Sequence, residues 1–285
     1  MTAFICLLGL GILIYIYRLF SQLGGGGGLA EASPDSRLPT THWAIPVALG
    51  TGWLVKATAL TLLIMPLRVL CHEVGHSLVA WLGGCWSFPS ISGHAITDYD
   101  PSVIVSVMAA FGIIWVIWQG AKLRSAMLFS CGAALAAGFV YFHFFAGEKR
   151  LLECILFAGH AGEFVFPVLL IAAFYAKGPS TWRWDWFRYP LMAAAAWQLS
   201  AAWQFWTKAA GNPVMNIYGA SIYSATVVEQ DIARLVNSMG WTPRMATDLY
   251  LLLGKISWLC VLLVYAGGIL KTHMQSRANT SKSEQ

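Results

Sequence analysis

Apolar residues run along this chain in long blocks separated by short polar intervals. A helix needs about 20 apolar residues to cross a bilayer. Blocks of about that size occupy 3–20, 102–120, 123–146, 150–176, 187–209 and 247–270. A longer apolar stretch, 43–82, would span about 60 Å if wholly helical at 1.5 Å per residue. It therefore tilts and breaks near Gly50, Gly52 or Pro66, or lies partly along the membrane interface. The pattern predicts an all-α fold, a polytopic transmembrane helix bundle of about seven crossings.

The polar intervals divide the chain. Residues 1–20 form an N-terminal transmembrane anchor, retained because no positive segment precedes the apolar run and no small-residue cleavage site follows. Residues 21–42, with the run Gly24 to Gly28 and then Pro34 and Pro39, are a Gly/Pro-rich linker. The membrane bundle occupies 43–270, and 271–285 is a polar tail. Gly83-Gly84, Pro89, Gly93 and Pro101 mark 84–101 as a loop. In the polar insert 210–246, Val228, Ile232, Leu235 and Val236 recur at helical spacing, with Glu229, Asp231 and Arg234 between them. That predicts a short amphipathic helix.

Composition agrees with the pattern. Hydrophobic residues make up 58% of the 285 and charged residues 11%, against about 25% charged in a soluble domain. So little charge cannot cover a water-facing surface, so lipid is the expected surroundings. A net charge of +5 is too small and dispersed for nucleic acid, which is excluded as a partner. Counting Lys and Arg in alternate loops gives ten on one side and five on the other. By the positive-inside rule this puts the C-terminus in the cytoplasm and loop 84–101 outside. A bacterial inner membrane is the expected location.

One motif carries chemistry. His72 and His76, four residues apart, share a helix face one turn apart. Their imidazoles can reach one zinc ion at about 2.0–2.1 Å. Glu73 stands beside the first ligand, placed to take a proton from an activated water. Such groups are expensive inside an apolar segment unless partnered.

The run from His72 to Gly84, His-Glu-Val-Gly-His-Ser-Leu-Val-Ala-Trp-Leu-Gly-Gly, resembles the first motif of the site-2 protease family of intramembrane zinc metallopeptidases. The resemblance covers about 15 residues. It implies His72 and His76 as zinc ligands, Glu73 as catalytic base and a membrane-embedded or membrane-proximal peptide as substrate. Members usually add an Asp-Gly in a later membrane segment, and no Asp-Gly dipeptide exists here.

A catalytic zinc usually has three protein ligands, so a further donor is expected. His160 and Glu163, at helical i, i+3 spacing among Gly159, Ala161 and Gly162, are one pair of candidates. Asp231, carried by the amphipathic helix, is another, and His94 in the loop is the last. Arg68, in the same apolar stretch as the motif, either snorkels or lines a polar path to the metal. The expected function is zinc-dependent peptide hydrolysis in the membrane. An inactive subunit of a membrane complex, with other membrane subunits as partners, and a transporter are the alternatives.

Overall fold

The structure, a computed structural model, describes residues 40–56, 61–90, 95–122, 126–174, 184–211 and 225–283. The predicted anchor 1–20, nearly all of the linker and His94 lie outside the described residues. The described chain is mostly helical. Its helices are α1 (Thr40–Lys56), α2 (Thr61–Leu82), α3 (Val103–Lys122), α4 (Ala126–Phe144), α5 (Glu148–Ala173), α6 (Trp184–Gly211), α7 (Ala225–Asn237) and α8 (Pro243–Ser283). Among the described residues, α3, α5 and the part of α8 at Pro243–Gly267 are long and apolar enough to cross a membrane. Shorter apolar helical stretches occupy Ile45–Leu54 and Leu128–Phe144.

Within the long stretch 43–82 the structure describes two helices, α1 and α2. They go to different neighbours: α1 packs on α6, and α2 packs on α5. The amphipathic helix predicted in the polar insert is α7. Its inward side is held by the buried Ile232 and Leu235. It ends where Gly240, in the left-handed region at φ +81, turns the chain and the Trp241 N–H donates to the Leu235 carbonyl at 3.1 Å.

The interval 84–101 departs from the expected loop. Cys85–Phe88 (β1) and Ile96–Pro101 (β2) pair as an antiparallel hairpin. Trp, Phe, Ile, Thr and Tyr favour a pleated backbone, but the strands are short and flanked by Gly and Pro, which hid them. The hydroxyls of Ser77 on α2, Ser87 on β1 and Thr97 on β2 link in series at 2.9 Å each and fasten the hairpin to α2. The Trp81 Nε1–H adds a bond to the Ser87 carbonyl.

The axis of the molecule is α5. One apolar cluster packs α1, α6, α7 and α8 around its later turns. A second joins its earlier turns to the end of α2 and to α3 and α4. Apolar burial drives helix association weakly in lipid, where close packing of small residues counts instead. Gly75 of α2 faces the Ala158 carbonyl and Gly162 of α5 faces the Cys71 carbonyl, each so closely that a Cβ would overlap the backbone opposite. These contacts bring α2 and α5 together at the depth of the motif.

Candidate metal centre

On α2, Arg68, His72 and His76 recur every four residues and form one ladder. All three side chains meet α5 or its partners. The His76 Nδ1 donates to the Ile155 carbonyl at 2.7 Å. The His72 Nδ1 donates to Glu163 Oε1 at 3.1 Å, and the Arg68 Nε donates to Glu163 Oε2 at 2.9 Å. Pro167 lies four residues after Glu163 and has no N–H for the Glu163 carbonyl, so α5 lacks one backbone rung at this residue.

These bonds decide the tautomers. A neutral imidazole has one N–H, and in both rings it sits on Nδ1. Both Nε2 atoms therefore keep bare lone pairs. They lie 3.1 Å apart. Asp231 Oδ2, delivered by α7, lies 3.1 Å from the Nε2 of His72 and 2.9 Å from that of His76.

With both rings neutral, three lone-pair atoms converge on one point, an arrangement suited to a cation. Zinc fits. Tetrahedral bonds of about 2.0–2.1 Å place donors about 3.3 Å apart, within a few tenths of an ångström of these separations. Two imidazoles and a carboxylate are also a recurrent catalytic zinc set.

Glu73, on the next position of α2, is buried. The Ala95 backbone N–H, at the entry to β2, lies near its carboxylate. Its Oε1 has no hydrogen-bond partner among the described residues. A buried carboxylate oxygen without a partner is costly, and here it stands beside the metal position.

Of the residues singled out by sequence, His72, His76 and Asp231 meet at one point, with Glu73 next to it. Glu163 and His160 lie on the opposite side of the His72 ring. Glu163 accepts from His72 Nδ1, and His160 Nδ1 donates to the same Glu163 oxygen at 2.9 Å. Sequence reasoning had no access to the Ile155 carbonyl, a backbone group. It also missed the Arg68–Glu163 ion pair, although Arg68 one turn before His72 extends the ladder. No family model, curated protein or solved structure matches the chain.

Proposed function

We propose that this chain is a multi-pass membrane protein of about seven crossings, with its C-terminus cytoplasmic, that holds one zinc ion and hydrolyses a peptide bond of a membrane-embedded or membrane-proximal substrate. The observation that carries the proposal is the meeting of His72 Nε2, His76 Nε2 and Asp231 Oδ2 within 3.1 Å of one another. Zinc in such a site supplies Lewis acidity, making water nucleophilic near neutral pH and polarising a carbonyl.

The chain's own groups supply the rest. His72, His76 and Asp231 would hold the ion. Glu73, with its unpartnered oxygen, takes the proton from the attacking water and returns it to the leaving amine. Charge balance supports a dication. Glu73, Glu163 and Asp231 bring three carboxylates into the buried cluster, and Arg68 supplies one positive charge. With both imidazoles neutral and all three carboxylates ionised, a divalent ion would supply the other two.

The missing Asp-Gly dipeptide favours a second reading, an inactive subunit of a membrane complex. One assay separates the two. The purified chain in micelles is incubated with quenched-fluorescent apolar helical peptides, beside Glu73→Gln. Cleavage that needs both zinc and Glu73 supports the hydrolase. Equal signals from the two proteins overturn it.

A further inference from the structure

Behind His72, away from the proposed metal point, lies a buried network of side chains. Glu163 Oε1 accepts from two imidazoles at once, His72 Nδ1 at 3.1 Å and His160 Nδ1 at 2.9 Å. Glu163 Oε2 accepts from the Arg68 guanidinium at 2.9 Å. Glu163 is 2% exposed and His160 is 0% exposed. The His160 ring meets the His72 ring edge-on at 4.5 Å and is enclosed by Trp206 and Tyr250. Its outer nitrogen, Nε2, has no partner among the described residues. Only the Nδ1 end of this fully buried imidazole is used, and it is aimed at Glu163.

His72, His160 and Glu163 also present donor atoms close enough together to hold an ion. Two facts oppose a second metal there. Both Nδ1 atoms are already N–H donors to the carboxylate. The guanidinium of Arg68 also sits on that carboxylate and would repel a dication beside it.

A carboxylate held by one hydrogen bond can rotate about its terminal torsion, which is broad and nearly two-fold. Here each oxygen is claimed by a different neighbour. Arg68, from α2, fixes Oε2, and His160, three residues back on α5, braces Oε1. The plane of Glu163 is therefore set from two directions, and Oε1 stays opposite His72 Nδ1. We infer that His160 and Arg68 are positioning residues that act through Glu163 to lock the tautomer and ring plane of His72, so that its Nε2 lone pair faces His76 and Asp231. Partners of this kind behind a metal-bound histidine typically change metal affinity 10–100-fold when removed.

The inference rests on the zinc site proposed above, and the test separates the two. An Asn amide nitrogen falls near the Nδ1 position of the histidine it replaces, and a Gln amide nitrogen near Nε2. His160→Asn, His160→Gln and His160→Leu are purified as full chains in micelles. Zinc affinity is measured by chelator competition, and the visible spectrum is taken after cobalt substitution. His160→Asn is expected to stay near wild type. His160→Gln and His160→Leu are expected to lose about 10–100-fold in affinity and to show a changed cobalt spectrum. Arg68→Met is expected to follow His160→Leu, and Arg68→Lys to recover part of the loss.

The Asn and Gln variants are both polar amides, so a difference between them reports the position of the N–H and not folding alone. Equal affinities and spectra for these two overturn the inference. A wild type that takes up two zinc ions, one of them lost in His160→Leu, overturns it in favour of a second metal. A wild type that takes up none defeats the zinc site itself.

Discussion

Gly159 of α5 stands against His76 of α2 so closely that a Cβ on it would overlap His76 Nε2, and it would press on His72 Nε2 as well. The proposed metal position is therefore walled on one side by a residue with no side chain. In an ordinary helix, Gly→Ala is worth about 1 kcal/mol in favour of Ala. Here the added methyl would occupy the space that the bare nitrogens face. Gly159→Ala is expected to cost at least tenfold in zinc affinity despite its better helix propensity, as read by chelator competition. Unchanged affinity would mean that the ion is held elsewhere.

In the proposed mechanism Glu73 touches the reaction and not the ion. Glu73→Gln keeps nearly the same shape and removes the base. Zinc content should equal that of the wild type, while cleavage of an apolar peptide should fall by roughly 100- to 10,000-fold, the range for removal of a general base. Peptide turnover and metal content measured on one preparation check both halves.

Asp231 brings both a ligand atom and the only negative charge among the three donors. Asp231→Asn keeps the size and loses the charge. It should weaken zinc more than any change to the groups behind His72, beyond the roughly 10–100-fold expected there. Because α7 is held by the buried Ile232 and Leu235, far-ultraviolet circular dichroism should not change. If Asp231→Asn binds zinc like the wild type, Asp231 is not a ligand.

The outward side of α3 displays Ile104, Phe111 and Trp115, each more than half exposed. If this side meets lipid, a charge at its centre is expensive. Phe111→Arg should raise the apparent free energy of insertion by about 3 kcal/mol on the biological scale, measured by glycosylation-site mapping in microsomes. No change would place α3 against water or protein.

The sequence made some of this legible and hid the rest for physical reasons. The four-residue repeat on α2 displays His72 and His76 directly, because helix period and metal geometry are both local. Spacing also paired His160 with Glu163 on one helix. What spacing could not show was which side of the His72 ring they would take, since that depends on the crossing of α2 and α5 set by Gly75 and Gly162. Asp231 lies 155 residues from His76, a separation across which no pattern predicts contact. The hairpin at Cys85–Phe88 and Ile96–Pro101 was hidden because its strands are short and bordered by turn-forming residues.

The most direct test of the account is the zinc content of the purified full chain, measured by mass spectrometry beside His72→Ala and Asp231→Ala, with zinc K-edge absorption on the wild type. The account predicts one zinc per wild-type chain, a nitrogen and oxygen shell at about 2.0–2.1 Å without sulfur, and loss of the ion in both variants. A wild type free of zinc, or variants that keep the ion in full, would contradict it.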